Sequence, residues 1–547
     1  MRLPIEIKRT LVVLSLTSYA AGLQKRTESN FQTRCANLKN EFKPDNTTTV
    51  LISEYLPSGT NWTIPPEAID PSCTYYFAGA IFKEDSCRLK LNISTSKTSN
   101  VVVEILLPVD WNERGKRVIT LGNGGLNGCI AYGDLVSTNS LGFVAIGTNN
   151  GHDGGSGAPF FHNTEVLEDF VYRSRIVVGT DVGKKATKHL YGSPHRKAYF
   201  MGCSTGGRQG LKAAQDFPEE FDGILAGAAA NDFLDLEAAN GQIYAFVGNP
   251  GSPSYINADQ WDIVHKLVLS QCDWIDGAYD GIIEDPMKCR PRFETLLCDV
   301  GQTWASNKCL TSGQINGLIG VYSPIYGSKG EFLYPRMQPG GEIQLGESQI
   351  IFGPGITVDW LRYVVLNNTK WDFNSSWSLE VFEIMKAQDS FGVSTWNPDL
   401  SKLRNSRHKL ITYHGLMDGS ITSENSYRYY DYVSRTMNLT SKKLDDFYRF
   451  FPVSGMSHCS GGDGAWYIGA SGQSGAAFPL TGIPKGDGGV LMDLVRWVED
   501  GVAPETVLGT SIGRQGEQIT RKHCKYPLKN TYKGSGNFNS KDNWRCA

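Results

Sequence analysis

The sequence lacks a strong charge of either sign. Its 53 Lys and Arg nearly balance 56 Asp and Glu, leaving a formal net charge of −3. No field is therefore aimed at nucleic acid or an anionic membrane. No long basic or acidic run and no internal repeat occurs, which excludes a charged interaction tail and a repeat architecture. The apolar run from Thr10 to Ala21 is too short to span a bilayer. Lys541–Ala547 are polar, so a C-terminal membrane or lipid anchor is not expected. No cysteine is left over, because 12 is an even number.

What is present suits a large secreted globule. With 547 residues, 40% of them hydrophobic and 11% aromatic, the chain can bury a substantial core. Its length fits about two to four domains, or one large fold with an insertion. Arg2, Lys8 and Arg9 precede the apolar run, and Ala20, Ala21 and Gly22 close it. That layout predicts a signal peptide over residues 1–22. Lys25-Arg26 then reads either as a dibasic processing site or as a solvated charge pair. An oxidising compartment would pair the cysteines. The sequons at Asn46, Asn61, Asn92, Asn367, Asn374 and Asn438 are glycan acceptors if the chain is secreted.

The chain is organised around residues 197–215. An apolar run ends in Gly202-Cys203-Ser204-Thr205-Gly206, and a helix-like stretch, residues 208–215, follows. Strand, G-x-S-x-G and helix form the context of a nucleophile elbow. Around it, strands are expected at 101–107, 117–121, 142–147, 221–227, 409–414 and 447–453, with helices over 165–190 and 487–500. Strands alternating with helices predict an α/β fold with a parallel sheet covered on both faces. Residues 27–100 read as an N-terminal arm of short strands. From about 232 to 395 the alternation is lost, and six of the 12 tryptophans lie there. We read that stretch as an inserted lid domain, dividing the catalytic domain into residues 23–231 and 396–547.

A serine hydroxyl needs a base, and the base needs an orienting acid. Asp418 follows one late strand and His458 the next. The order Ser204, Asp418, His458 is that of an α/β-hydrolase sheet. His414 and His152 do not follow the acid in sequence and read as pocket or structural residues rather than the base. His523 does, but it lies in a polar tail with no strand expected before it. Asp399, a rival acid, sits in a turn before a strand. Donors for the oxyanion are expected from the N–H of Thr205 and from Gly124 or Gly125, in a Gly-rich turn after an early strand. Such donors contribute roughly 3–4 kcal/mol each to a transition state. Cys203 and Cys459 flank nucleophile and base, and the simplest pairing joins them. Cys272 and Cys289 bracket an acid-rich loop. Proximity joins Cys298 to Cys309 and Cys524 to Cys546. Cys35, Cys73, Cys87 and Cys129 are left with three pairings open.

The motifs Gly202-Cys203-Ser204-Thr205-Gly206-Gly207-Arg208-Gln209-Gly210, Tyr413-His414-Gly415-x-x-Asp418 and His458-Cys459 resemble the tannase and fungal feruloyl esterase family, from about residue 30 to the C-terminus. The resemblance implies an α/β-hydrolase fold with an inserted lid, secretion, and hydrolysis of phenolic acid esters. It also implies the pairs Cys35–Cys87 and Cys73–Cys129. Leu416-Met417 and Ala229 depart from the family's usual residues without touching the catalytic groups.

Residues 272–285 crowd acids among glycines, which suits a hard, oxygen-ligated cation, though not with EF-hand spacing. A solvated acidic loop is the alternative. The resemblance implies a structural Ca²⁺ held by the side chains of Asp273, Asp276 and Asp280 and the carbonyls of Ala278 and Ile282. The expected substrate is a feruloyl or coumaroyl ester on plant cell-wall polysaccharide. The alternatives are a tannase acting on galloyl esters and a non-catalytic binding protein on a hydrolase scaffold. No membrane or nucleic-acid partner is expected.

Overall fold

A computed structural model describes residues 30–63, 70–76, 79–351, 353–473 and 489–547. The expected signal peptide and Lys25-Arg26 lie outside the described residues. Among the described residues nine strands form the principal sheet: β1 (Thr48–Leu56), β2 (Ser86–Ser94), β3 (Asn100–Pro108), β4 (Arg117–Leu121), β5 (Phe143–Thr148), β6 (Lys197–Cys203), β7 (Gly223–Gly227), β8 (Lys409–Gly415) and β9 (Tyr448–Val453). Their order is β1-β2-β3-β5-β4-β6-β7-β8-β9. From β5 to β9 all neighbours are parallel, and β1 to β3 add antiparallel pairings on one side. A mixed sheet of this order, with a strand–turn–helix nucleophile motif after β6, is an α/β-hydrolase sheet.

The central strands read as unbroken apolar runs because both faces are covered. Successive side chains alternate between two cores. Val118, Val144, Phe200 and Ile224 enter one core, while Ile119, Ala145, Tyr199, Met201 and Leu225 enter the other. The second core is closed by α1 (Tyr132–Ser140) through Leu135 and Val136. The first is closed by α2 (Thr205–Asp216), through Leu211, Ala213 and Ala214. The expected helix over 165–190 is continuous from 164 to 191, but its middle, Asp169–Gly179, is wound in wider π turns. There Arg175 is buried and donates to Asn150 Oδ1 at 2.7 Å and Thr148 O at 2.8 Å, tying the helix to the end of β5.

The N-terminal arm differs from expectation. Its Ser- and Thr-rich composition suggested short strands, yet β1 and β2 are nine residues each and belong to the principal sheet. Leu89, Leu91 and Ile93 alternate into the core from β2, while the edge strand β1 is mostly half-buried, its apolar residues interrupted by Thr, Ser and Glu. Cys35–Cys87 fastens a helix over residues 30–41 to β2, and Cys73–Cys129 fastens the arm beside the β4 turn.

Between β7 and β8 the chain leaves the sheet. This excursion is mainly helical: α3 (Phe233–Val247), α4 (Ala258–Cys272), α5 (Ser312–Val321) and α6 (Glu342–Ile351) are its longer helices. Side-chain capping boxes at Asn257 and Thr311 start α4 and α5. Trp261, Val264, Val268, Ile315 and Leu318 form a core of the inserted segment's own. Trp360 packs with Phe233 and Phe382 in a second core shared with Phe161 and Phe170 of the body. Trp261 and Trp360 are thus core residues. After β9 come α7 (Gly489–Asp500) and a hairpin, β10 (Thr506–Ile512) with β11 (Gln518–Cys524).

Candidate active site

The elbow is built by close packing. Ser204 follows β6 directly and stands at φ 65°, ψ −126°, a region that L-residues rarely adopt. Its N–H donates to Gly227 O at 3.0 Å, and its carbonyl accepts from Arg208 and Ala230. A Cβ on Gly202 would lie 2.6 Å from Gly206 O, and one on Gly206 3.0 Å from Gly122 Cα. Glycine is therefore required for the turn to close and for the β4 turn to lie against it.

Three loops from the carboxyl ends of β6, β8 and β9 meet at one point. Ser204 Oγ and His458 Nε2 are 2.9 Å apart, and His458 Nδ1 is 2.7 Å from Asp418 Oδ2. β9 stands three strands from β6, about 14 Å at ordinary strand spacing, so the His458 loop must lean back across the sheet edge. The disulfide Cys203–Cys459, with Cα atoms 6.0 Å apart, clasps the nucleophile turn to that loop. The His458 side chain keeps 20% of its exposure, which leaves it open to water or substrate.

Asp418 is buried and receives four donors. Its Oδ1 accepts from the N–H groups of Ser420 and Ile421, each at 2.8 Å. Its Oδ2 accepts from His458 and, at 3.1 Å, from His414 Nε2. His414 Nε2 also lies 3.0 Å from the carbonyl of Ile421, so this nitrogen carries the proton, and Nδ1 accepts from Ser426 Oγ at 2.7 Å. Burial opposes charge on Asp418, but the imidazoles of His458 and His414 outweigh it and hold the carboxyl well below its ordinary range. Burial also opposes charge on His458; the Asp418 carboxylate overcomes this and raises the imidazole above its ordinary value. With Asp418 fixed as acceptor, the neutral His458 carries its proton on Nδ1 and presents bare Nε2 to the serine hydroxyl.

Sequence reasoning missed Gln344. It lies on α6 in the inserted segment, and its Oε1 accepts from the N–H of His458 at 3.0 Å and of Gly419 at 2.9 Å. One amide thereby pins the base loop and the acid turn together. The available signal is glycine: a Cβ on Gly419 would lie 2.4 Å from Leu345 N, and one on Gly341 2.8 Å from Met417 O. His414, expected to be a pocket or structural residue rather than the base, is buried and donates to Asp418.

The remaining candidates separate clearly. Thr205 is the first residue of α2, so its N–H has no partner within the helix. Gly124 and Gly125 follow Gly122, which packs on the elbow, and Asn123 Nδ2 anchors their turn to Cys129 O at 2.7 Å. His152 is buried and bonded to Leu126 O. Asp399 is exposed and accepts from Ser401 in its own turn. His523 corrects the reading of the tail: it lies on β11, fully buried, 2.9 Å from Ala465 O, and burial pulls it down to about 4. It is a neutral core residue, because the tail forms a hairpin packed under α7 rather than a loose end.

In the acid-rich loop, Asp273 accepts from Gly281 N at 3.1 Å, Asp276 from Ala278 N at 2.9 Å, and Asp280 from Ile282 N at 3.2 Å. Burial, with the neighbouring acids, pushes Asp276 up to about 7 and Asp280 up to about 6. Arg521, paired with Asp280 and Glu284, is the cation facing them from β11. An all-oxygen donor set with too little positive charge fits a hard divalent cation. Among the described residues no three Asp, Glu, His or Cys side chains cluster as a ready-made metal site, so backbone carbonyls such as those of Ala278 and Ile282 would be needed to complete one. Cys272–Cys289 closes the loop, and Cys298–Cys309 and Cys524–Cys546 are also formed. Asn46, Asn61, Asn367, Asn374 and Asn438 are exposed, while Asn92 is half-buried within β2.

Residues 87–547 match the family model described as tannase and feruloyl esterase. The chain is 41% identical to Probable feruloyl esterase B-2 of Aspergillus oryzae and 44% identical to Probable feruloyl esterase B of Emericella nidulans, covering 99% of both chains in each case. Among solved structures, feruloyl esterase B from Aspergillus oryzae aligns with a TM-score of 0.86 at 40% identity, over 94% of this chain and 100% of that one. Tannin acyl hydrolase from Aspergillus niger aligns at 0.69 with 20% identity, over 94% of each, a likeness of fold.

Proposed function

Because the chain belongs to the tannase and feruloyl esterase family, and is thus a carboxylic ester hydrolase, we propose that Ser204, His458 and Asp418 are its catalytic triad and that it cleaves feruloyl or coumaroyl esters. The observation that carries this reading is the unbroken chain from Ser204 Oγ through His458 to Asp418. His458 Nε2 takes the serine proton as Oγ bonds to the ester carbonyl carbon. The oxyanion so formed faces the N–H of Thr205 and of Gly124 or Gly125. When the carbonyl reforms, the C–O bond to the alcohol breaks and His458 returns the proton to the leaving oxygen. Water, deprotonated by His458, then attacks the acyl-enzyme, and Ser204 regains its proton as the phenolic acid leaves. Asp418 stays ionised throughout and stabilises the imidazolium; His414 and Gln344 hold Asp418 and the base loop in place.

The acyl preference rests on full-length relatives named feruloyl esterase B. We place the substrate on plant cell-wall polysaccharide and the protein outside the cell. The six disulfides, exposed sequons and N-terminal layout support secretion. The inserted segment acts as a lid domain, a role supported by its contact with both catalytic loops through Gln344. A Ca²⁺ held by Asp273, Asp276, Asp280 and the carbonyls of Ala278 and Ile282 would neutralise the acid-rich loop, and no step of hydrolysis passes through it.

Hydrolysis of methyl ferulate and methyl gallate by the wild type and by Ser204→Ala tests this function. Ferulate turnover that vanishes in Ser204→Ala is expected. Preference for gallate would make the protein a tannase, and turnover of neither ester would sink the enzymatic reading.

A further inference from the structure

A cleft of about 420 Å³ opens on the same sheet edge as the triad, and the proposed chemistry leaves it unused. It lies where β5 ends and antiparallel β3 begins. Those strands stand two and three places from β6, which puts the cleft about 10–14 Å along the edge from the Ser204 strand. It is therefore adjacent to the ester site rather than part of the acyl pocket.

Its walls define a ligand class. Exposed Thr98, Asn100, Asp153 and His162 line it, and no lysine or arginine does, so an anion finds no counter-charge there. Phe160 is 45% exposed beside them and presents a ring to the opening. His152, 4% exposed, also lines the cleft. Its Nε2 lies 2.9 Å from the carbonyl of Leu126 and its Nδ1 is shut off from solvent, so the imidazole is a fixed part of the wall. The imidazole is held tightly: a Cβ on Gly157 would lie 2.3 Å from Nε2. The wall is braced as well, by Ser156 Oγ donating to Asp359 at 3.0 Å and by Phe161 against Trp360.

The geometry points to a binding subsite for a neutral sugar chain, with one sugar face on Phe160 and its hydroxyls on Asn100, Asp153 and His162. Such a site combines an aromatic platform with a few placed polar groups, as carbohydrate hydroxyls and ring faces require. It would hold the polysaccharide part of the substrate while the phenolic ester occupies Ser204. This deepens the proposed function and rests on it for the identity of the ester.

Two variants at exposed positions, Phe160→Ala and Asn100→Ala, test the subsite. On a feruloylated xylo-oligosaccharide, KM is expected to rise roughly five- to tenfold, the loss of a good contact residue. On methyl ferulate, which has no sugar to place, kcat and KM should stay unchanged. Equal parameters for wild type and variants on both esters would overturn the proposal. Should the wild type cleave no ferulate ester, the esterase reading fails separately. Calorimetric titration of Ser204→Ala with a plain xylo-oligosaccharide then decides the subsite: heat of binding that disappears on adding Phe160→Ala supports it, and binding that is absent or unaffected by Phe160→Ala refutes it.

Discussion

The parallel half of the sheet and the segment inserted between β7 and β8 contribute to the same site in different ways. The sheet delivers Ser204, Asp418 and His458 at strand ends, where the pleat and the crossovers leave little freedom. The inserted segment delivers Gln344, a single amide on α6 that bonds both the base loop and the acid turn. The first contribution is chemistry on a rigid frame. The second is positioning, supplied by a helix that has a core of its own. The lesson is that the proposed reacting groups all come from the sheet, whereas the groups that aim them come from both parts, His414 from β8 and Gln344 from the inserted segment.

Variants sharpen that contrast. The largest effect is expected at the sheet: Asp418→Asn should lower kcat on the order of a thousandfold or more, because His458 loses the partner that sets its tautomer. The same change carries a pH signature. The proposed mechanism needs neutral His458, and Asp418 raises its pKa, so wild-type kcat/KM should fall as pH drops through that raised value. In Asp418→Asn the residual activity should lose its acid limb at lower pH, measured on methyl ferulate across the acid range. A limb that does not move would detach Asp418 from His458.

His414→Phe comes next. It removes one of four donors to a buried carboxylate, and a loss in kcat of roughly tenfold is expected from a hydrogen bond to a charged group. Gln344→Ala should cost kcat up to about tenfold while leaving the folded state intact, since two ordinary hydrogen bonds from loop N–H groups are lost. If Gln344→Ala matched wild type in kcat, the inserted segment would be no more than a cover. The smallest effect is on stability. Asp276→Ala is expected to lower the melting temperature by a few degrees and to blunt any further loss on chelation, read by thermal unfolding with and without a chelator. A variant as sensitive to chelation as wild type would move the ion elsewhere.

What could be read from the sequence divides along the same line. Strands β4 to β9 were legible because burial on both faces produces continuous apolar runs that stop at turn residues. Ser204, Asp418 and His458 were legible because each follows such a run. The strands β1 and β2 were underestimated, since Thr, Ser, Glu, Arg, Lys and Asn break up their apolar residues, so neither shows the continuous run of the central strands. His523 was misread because Gln518, Thr520 and Lys522 alternate on β11 with the buried Ile519, Arg521 and His523, and two of those three buried residues are themselves polar. Gln344 gave no periodic signal, because its two bonds depend on close approaches at Gly341 and Gly419 that only the folded chain displays. The cleft beside Phe160 was equally hidden, being assembled from the start of one strand and the loop after another.

Labelling with a serine-directed fluorophosphonate, followed by mass mapping of peptides, addresses the triad most directly. The phosphonyl group should be found on the peptide carrying Ser204, hydrolysis of methyl ferulate should be lost in step with labelling, and His458→Ala should not be labelled. Label on a different residue, or full hydrolysis in protein completely phosphonylated at Ser204, would contradict the account.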